Sequence, residues 1–245
     1  MLRPKISVCM ATYCGERFIE QQIRSILPQL AVHDELVIVD DHSIDDTVAT
    51  IKRFEDPRIR LIEQQGNQGV LRTFESALKL ATGEIVFICD QDDVWTANKV
   101  ERYLAAFQDN PDVLLVMSDL MLIDETGDVQ PITGNWVFRS AFRPGIRSNL
   151  FKNLYQGCRM AFRADVLAWS LPFPRDIPAF DSWIGMATEL HGKVMHLPEP
   201  LLFHRRHSGN NSPNMRGSVG KMIRDRVSLS RALLKLRFAG RVNRD

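Results

Sequence analysis

Four short strand-like segments, separated by stretches of helical spacing, set the strongest constraint on how this chain can fold. They occupy residues 6–10, 35–39, 58–62 and 84–89. Apart from 58–62, which contains two arginines, they are mainly apolar runs, and such runs are typical of strands buried on both faces of a parallel sheet. The intervening segments predict helices over 18–27, 47–54 and 70–81. Strands that alternate with helices are joined by right-handed crossovers, so the sequence predicts an α/β fold with a mainly parallel sheet flanked by helices.

The second half of the chain has a looser pattern. Further strands are predicted over 113–118, 157–163 and 194–197, with a helix over 97–107 and others near Asp165 and Trp183. Residues 124–156 are rich in glycine and proline and predict turns that contribute to a pocket. We therefore expect one α/β domain whose second half elaborates the site.

Length and composition exclude several classes of protein. A chain of 245 residues that is 44% hydrophobic and 25% charged can bury a core without disulfides. No apolar run approaches the ~18 residues of a membrane-spanning helix, and no cleavable signal opens the chain. The four cysteines, Cys9, Cys14, Cys89 and Cys158, show no CxxC pair. This spacing predicts reduced thiols and a cytoplasmic protein.

Positive charge is concentrated at the end of the chain. Residues 216–245 contain nine Lys or Arg and two acids, a charge of +7, which leaves about −6 for residues 1–215 because the net charge is +1. This is not the pattern of a nucleic-acid-binding protein, so no nucleic acid partner is expected. Apolar spacing over 219–238 predicts a basic amphipathic helix. Two interpretations stay open: contact with an anionic membrane surface, or packing on the domain or on a second subunit of a homodimer.

Polar clusters follow three of the predicted strands, at 11–13, 40–41 and 90–93. Ligands of open parallel sheets bind beyond the carboxyl ends of the strands. Asp90 and Asp92 would repel each other without a cation, and their hard oxygens suit Mg²⁺ or Mn²⁺. The alternative is that these aspartates cap the helix predicted from residue 97. Neither GxGxxG nor GxxxxGK[ST] is present, which counts against Rossmann dinucleotide enzymes and P-loop NTPases.

Four motifs, in this order and spacing, resemble the inverting family 2 glycosyltransferases. They are ISVCMATY at 6–13, IVDDHSIDDT at 38–47, NQG at 67–69 and DQDDVW at 90–95. The resemblance covers residues 5 to about 210 and extends to bacterial rhamnosyl- and glycosyltransferases of surface polysaccharide assembly. It implies the Rossmann-like GT-A fold and transfer of a sugar from a UDP- or dTDP-sugar to a hydroxyl of a glycan or lipid-linked acceptor. It also implies a donor-binding half over 1–118 and an acceptor-binding half over 119–215, with the tail 216–245 outside.

The resemblance assigns roles to residues by position. The expected donor-binding residues are Ala11, Thr12, Tyr13, Glu16, Asp40, Asn67, Gly69, Asp90, Gln91 and Asp92. Within this set, Asp40 is expected to read the pyrimidine. Asp92 and His207 are expected to hold the metal ion, and Asp181 to act as the catalytic base.

The acceptor is expected to contact Trp95, Gly157 and Trp183. The two tryptophans lie beside acidic motifs, where an aromatic face suits the apolar side of a pyranose ring, although both could equally be core residues. The family usually has Asn where this chain has Cys14, and often Gly where it has His42. We therefore expect the loop on the ribose side to be shaped differently.

Other interpretations of these motifs remain open. Asp181 alone could cap a helix that begins at Ser182, and His207 could lie in a solvated basic loop. Residues 85–94 also fit the DxDx[TV] signature of haloacid dehalogenase-type phosphohydrolases, with Asp90 as nucleophile. That signature normally opens its fold, whereas three strand–helix units precede it here. A sugar-nucleotide-binding module without turnover is the non-enzymatic alternative.

Overall fold

The computed structural model describes residues 3–132, 142–209 and 218–242. The strands are β1 Ile6–Thr12, β2 Glu35–Asp40, β3 Ile59–Glu63, β4 Ile85–Cys89, β5 Val94–Trp95, β6 Val113–Ile123, β7 Val129–Gln130, β8 Met160–Arg163 and β9 Lys193–Arg205. The helices are α1 Ile19–Ile26, α2 Thr47–Lys52, α3 Val70–Lys79, α4 Lys99–Asp109, α5 Ile146–Phe151, α6 Asp165–Ser170, α7 Phe180–Glu189 and α8 Val219–Val242. Single 3₁₀ turns precede β2 and β8, at Leu27–Gln29 and Gly157–Arg159.

One curled sheet contains these strands in the order β3-β2-β1-β4-β8-β6-β9-β5, with β7 paired to β6. The first four strands are parallel neighbours, joined through α1, α2 and α3. β8 is antiparallel to both of its neighbours, and β9 is parallel to β6. The predicted α/β fold is confirmed, and each antiparallel pair includes β7, β8 or β9.

The chain reverses direction across the sheet between β1 and β4. It first adds β2 and β3 on one side of β1 and then places β4 on the other side. In open α/β sheets such a switch point, at the carboxyl ends of the strands, is where a crevice forms. The polar residues that follow β1, β2 and β4 therefore meet at one edge.

Both faces of the sheet are covered by apolar side chains. Val8 and Met10 of β1 belong to the cluster that packs against α1 and α4. Cys9, between them in sequence, belongs to the opposite cluster with residues of α3 and α7. Alternate side chains of a strand point to opposite faces, so a strand with two buried faces has to be continuously apolar. This is why β1, β2 and β4 are recognisable in the sequence.

Two strands of the second half are longer than the sequence predicts, whereas β8 is shorter and begins at Met160 rather than Gly157. β6 continues to Ile123, and β9 runs from Lys193 to Arg205 although it contains Pro198 and Pro200. The pairing of β6 with β9 shifts register around Ser118 and Asp119, where these prolines lie opposite. Proline lacks the N–H that a regular ladder needs, and a bulge accommodates it.

The predicted basic C-terminal helix is present as α8. Leu229 and Leu233 are buried in the cluster shared with α7, and Arg226 donates to the carbonyl oxygens of Leu150 and Phe151. One face of α8 therefore packs on the domain. Among the described residues, no helix combines the length and the apolar character needed to span a membrane. The predicted boundary at 215–216 and residues 133–141 of the turn-rich segment lie outside the described residues.

Candidate functional site

A cavity of about 770 Å³ lies at the carboxyl ends of β1 and β4. The start of α3 and the start of α7 contribute to its wall, so it draws on both halves of the chain. Eight of the ten predicted donor-binding residues line it: Ala11, Thr12, Tyr13, Asn67, Gly69, Asp90, Gln91 and Asp92. Strand ends that are distant in sequence converge there, as the parallel topology predicts.

Gln91 fastens the loop after β4 to the loop after β1. Its side-chain oxygen accepts from the Tyr13 amide at 2.9 Å, and its side-chain nitrogen donates to the Tyr13 carbonyl at 3.1 Å. The Tyr13 side chain stays 46% exposed. Gln91 therefore orders the backbone and leaves the Tyr13 ring available to a ligand.

Asp40 and Glu16 do not line the cavity, contrary to expectation. Asp40 is buried, and its carboxylate accepts hydrogen bonds from Thr12 and Ser43. Glu16 accepts a hydrogen bond from the Asp46 amide at 2.9 Å and shapes the loop before α2. Direct pyrimidine contact by Asp40 does not fit this arrangement, because the Asp40 carboxylate is buried and lies outside the cavity lining.

Asp41 lines the cavity instead, and the sequence analysis did not select it. Its two carboxylate oxygens accept from the amides of Gln68 and Gly69, at 2.7 and 2.9 Å. This contact holds the NQG turn against β2. The only sequence signal was the Asp40-Asp41 pair, which does not reveal which aspartate turns towards the ligand.

The loop after β4 brings three aspartates together. Burial, and then the neighbouring carboxylates of Asp93 and Asp92, raise the pKa of Asp90 to about 8. Burial alone would raise the pKa of Asp93 as well, but His204 at 2.8 Å lowers it. The buried Lys99, whose own pKa burial lowers to about 8, also lowers the pKa of Asp93. A cation bound in the cavity would offset the repulsion among these carboxylates and favour the ionised form of Asp90.

Asp92 and His207 form the expected pair. Asp92 Oδ2 and His207 Nε2 are 2.8 Å apart, and both side chains are largely buried, at 13% and 12% exposure. A carboxylate and an imidazole form a donor set that fits a divalent cation. The ring of His207 also packs on Phe18, with 4.8 Å between ring centroids.

His204 lies closer to the cavity than the sequence indicated, and it lines the wall. Asp93, Cys158 and His204 bring one potential ligand atom each within 4.8 Å of one another. Asp93 already accepts from the Arg205 amide and faces the His204 ring, so this group is organised as a buried ion pair. The HRRH sequence at 204–207 indicated a histidine near the cavity, but it did not indicate that His204 lines the wall.

Arg205, at the end of β9, connects the acidic loop to two other segments. Its guanidinium donates to the carbonyl oxygens of Asp92, Asp124 and Glu125, at 3.0, 3.0 and 3.2 Å. It also donates to the Gln21 side chain of α1 at 2.6 Å. Only 1% of Arg205 is exposed. β9 therefore fixes the backbone of the residue expected to bind the metal.

Asp181 lines the cavity from the first turn of α7. It does not occupy the N-cap, which is Ala179; its carboxylate accepts from the Ser182 amide at 2.6 Å. Its charge also contributes to the raised pKa of Asp90. Asp181 therefore lies near the acidic loop although ninety-one positions separate the two residues in sequence.

Gly157 lies on the cavity wall where Phe180 approaches it closely. A Cβ at position 157 would come within 2.9 Å of the Phe180 ring. Phe180 in turn packs on Phe74, with ring centroids 4.3 Å apart. The absence of a side chain at Gly157 thus sets the position of an aromatic ring in the cavity.

Trp95 and Trp183 do not line this cavity, and the expectation that they stack on a sugar is corrected. Both are 3% exposed. The Trp183 indole donates to the Ser170 carbonyl at 2.8 Å, and Lys99 lies 4.4 Å from the centre of the Trp95 ring. Neither ring offers a face to a pyranose in this cavity, and Trp183 instead lines the separate groove beside α8.

Solved structures share this fold. A crystal structure of Staphylococcus aureus TarS in complex with UDP-GlcNAc aligns with a TM-score of 0.70 at 19% identity, over 95% of this chain and 66% of that one. A mannosyltransferase from Pyrobaculum calidifontis, in complex with GDP-Man and Mn²⁺, aligns with a TM-score of 0.64 at 22% identity, over 100% of this chain and 66% of that one. Together they define the class as a GT-A fold.

The family follows from the sequence comparisons. The family described as "Glycosyl transferase family 2" matches residues 7–168, so the chain belongs to that family. An uncharacterized glycosyltransferase of Nostoc sp. is 32% identical over 218 residues, covering 84% of this chain. A UDP-Glc:alpha-D-GlcNAc-diphosphoundecaprenol beta-1,3-glucosyltransferase of Escherichia coli, WfgD, is 34% identical over 105 residues, 43% of this chain. The chain spans 66% of the length of the first relative and 42% of the second.

Proposed function

We propose that this protein transfers a sugar from a nucleoside diphosphate donor to a hydroxyl of a glycan or lipid-linked acceptor, in cell-surface polysaccharide assembly. The observation that carries the proposal is that Asp181 and the Asp90–Asp92 motif line one cavity. The name of the E. coli relative specifies a UDP-Glc donor and a diphosphoundecaprenol-linked acceptor. TarS has been crystallised with UDP-GlcNAc, and the mannosyltransferase with GDP-Man and Mn²⁺. These relatives support a sugar nucleotide as donor.

The donor would lie along the ends of β1 and β4. Tyr13 offers an exposed ring beside the backbone of Thr12, and the NQG turn held by Asp41 borders the same space. Asp92 and His207 would hold Mg²⁺ or Mn²⁺. When bound there, such an ion supplies Lewis-acid stabilisation of charge on the departing diphosphate.

Asp181 is the proposed catalytic base. A carboxylate within hydrogen-bond reach of the acceptor hydroxyl takes its proton as the oxygen attacks the anomeric carbon. The bond to the Ser182 amide fixes the direction of the Asp181 carboxylate at the start of α7. Attack in line with the departing diphosphate, with no covalent bond to the protein, inverts the anomeric configuration.

The phosphohydrolase alternative has less support than glycosyl transfer. The DxDx[TV] signature normally opens its fold, whereas β1, β2 and β3 precede it here. The family match also begins at residue 7, well before the acidic strand, and spans it.

We place the enzyme in the cytoplasm, in agreement with four free cysteines of which three are buried.

The test compares Asp181→Asn with Asp165→Asn. Both aspartates lie in the first turn of a helix, but Asp165 is exposed and does not line the cavity. Donor binding is measured by calorimetry with Mn²⁺ and UDP-glucose, UDP-N-acetylglucosamine or dTDP-rhamnose. Turnover is measured as release of the nucleoside diphosphate in the presence of simple glycoside acceptors.

We expect Asp181→Asn to retain donor affinity and to lose turnover by about 100-fold or more, because it removes only the base. Asp165→Asn should match the wild type in both measurements. Full turnover by Asp181→Asn would show that another residue acts as the base. Donor binding without turnover by the wild-type protein, across the donors and acceptors tested, would favour the non-catalytic binding module.

A further inference from the structure

Helix α8 has two apolar faces, and only one of them packs on the domain. Leu229 and Leu233 on the inner face are 4% and 5% exposed. A second set of apolar residues is exposed by 42–56%: Ile223, Val227, Leu234 and Phe238. With 3.6 residues per turn, this second set falls within an arc of about 60° and points roughly 130° away from the inner face. We call these four residues the outer stripe.

The outer stripe continues onto neighbouring apolar surface. Ile223 and Val227 line a groove of about 660 Å³ between α8 and the segment that contains Pro174 and Asp176. Phe151, at the end of α5, is 79% exposed and lies 5.8 Å from the Arg226 guanidinium. Exposed apolar residues that cluster in this way commonly mark an interaction surface, whereas isolated ones do not.

Cations border the outer stripe. Arg224, Arg231 and Lys235 line the same groove. From Ser218 to Phe238 the helix carries six Lys or Arg and a single acid, Asp225. A second copy docked through the same stripe would place these cations against their equivalents, which is unfavourable in a two-fold interface. The charge is therefore complementary to an anionic surface.

Helix α8 packs on segments that lead into the wall of the cavity beside Asp181. Ser228 donates to the Asp176 carbonyl, and residues 177–181, which follow directly, line the cavity. Arg226 holds the carbonyl oxygens of Leu150 and Phe151, and the cavity lining resumes at Asn153. The segments that support α8 are thus continuous with those that surround Asp181.

We propose that α8 docks the protein on a bilayer that contains anionic lipids. The outer stripe inserts at the level of the headgroups, and the bordering Arg and Lys side chains contact lipid phosphates. Docking would bring the Asp181 side of the cavity to the lipid surface and select a lipid-linked acceptor over a free glycan. That selection rests on the proposed function, whereas the docking itself does not.

The test is co-sedimentation with vesicles of phosphatidylcholine, with and without phosphatidylglycerol. The test variant is Ile223→Ser/Leu234→Ser, and the matched control is Val32→Ser/Val129→Ser, which changes two exposed apolar residues outside α8. Circular dichroism and the melting temperature establish that all variants fold. We expect wild type and control to bind the anionic vesicles, and the α8 variant to lose about tenfold or more in partitioning.

Charge is tested separately with Arg224→Gln/Arg231→Gln, which should also lose binding to the anionic vesicles. Equal recovery of the wild type and the Ile223→Ser/Leu234→Ser variant overturns the proposal. Equal recovery of the wild type on the two vesicle types overturns it as well. If the wild type forms a dimer without lipid and Ile223→Ser/Leu234→Ser does not, the outer stripe is instead a contact with a second copy. Calorimetry with the donor is run on the same variants and should not change, so failure of docking is distinguishable from failure of the proposed reaction.

Discussion

Cys14 and His42, in the loops after β1 and β2, both adopt positive φ values, 47° and 66°. The left-handed conformation costs a residue with a Cβ atom about 1–2 kcal/mol, while Gly adopts it freely and Asn tolerates it. The family that the motifs resemble usually has Asn and Gly at these two positions. The backbone thus supplies a physical reason for that preference, and this chain retains the conformation with less suitable residues.

Replacing His42 with Gly should stabilise the protein. We expect His42→Gly to raise the free energy of unfolding by about 0.5–1 kcal/mol, because relief of the left-handed strain exceeds the added chain entropy of glycine. Urea denaturation at neutral pH measures the change. Ile44→Gly, in the same loop and without a positive φ, is the control and should lower the free energy of unfolding by a similar amount. A loss of stability in His42→Gly would contradict the strain argument.

Single residues of the site were only partly predictable from the sequence. The motif at 40–41 indicates that an aspartate faces the ligand, but successive residues at a strand end point in different directions. The structure turns Asp41 to the cavity and uses Asp40 to hold Ser43. Trp95 and Trp183 were misassigned because a tryptophan beside an acidic motif has the same sequence pattern whether it stacks on a sugar or fills the core.

At the scale of elements, strands buried on both faces were predictable and irregular strands were not. β1, β2 and β4 are continuous apolar runs, so their sequence specifies them. β9 contains two prolines, and its pairing with β6 depends on bulges that involve both strands. A bulge is a property of a pair of strands, and no local pattern of one strand encodes it.

Glu35 joins several elements at the opposite end of the sheet from the cavity. Its carboxylate accepts from the Ser7 hydroxyl of β1 at 2.6 Å, from Arg60 of β3 at 2.7 Å, and from the Thr82 amide after α3 at 2.7 Å. Burial alone would raise the pKa of Glu35, but these hydrogen bonds outweigh it and lower the pKa to about 2. The ionised form is therefore the one that the fold stabilises.

This contact predicts a loss of stability in acid. Because the pKa of Glu35 is lower in the folded protein, its contribution is fully present above the unfolded value of 4.5 and is lost as the pH falls towards about 2. The contribution is at most about 3 kcal/mol. Glu35→Gln should flatten the dependence of the unfolding free energy on pH in that window, measured by urea denaturation at several pH values. Glu101→Gln, an exposed change on α4, serves as the control, and an unchanged slope in Glu35→Gln would exclude this contact as its source.

At the scale of the whole molecule, the cavity depends on both halves of one sheet. A ligand that binds only the folded state stabilises the whole domain, by about 2.7 kcal/mol at a hundred times its dissociation constant. For a chain of this size that corresponds to a rise of roughly 5–10 °C in melting temperature. We expect this rise with a matching sugar nucleotide when Mn²⁺ is present.

Removing the ion should remove most of that rise. EDTA in the wild type and the substitution Asp92→Asn should have the same effect, because both abolish the divalent contact to the diphosphate. Asp112→Asn, an exposed change that breaks the ion pair with Lys193, is the control and should keep the ion-dependent rise. An equal rise with and without the ion would count against Asp92 as a metal ligand.

The sequence indicated the basic C-terminal helix but not its two apolar faces. A helix with apolar residues on two opposite faces has weak overall amphipathicity, because the contributions of the two faces cancel. The structure separates them, since Leu229 and Leu233 contact the core while Ile223 and Leu234 do not. Packing of α8 on the domain and docking on a surface are therefore compatible.

The hydrogen bonds of Arg205 have a consequence for the order in which the site forms as the chain is synthesised. The aspartates after β4 emerge from the ribosome long before Arg205, which holds the Asp92 carbonyl and lies 113 positions later. A nascent chain that ends after α4 already carries the acidic motif but lacks the strand that orients it. A chain that stops before β9 is therefore expected to leave the Asp92 backbone without the hydrogen bond that fixes it.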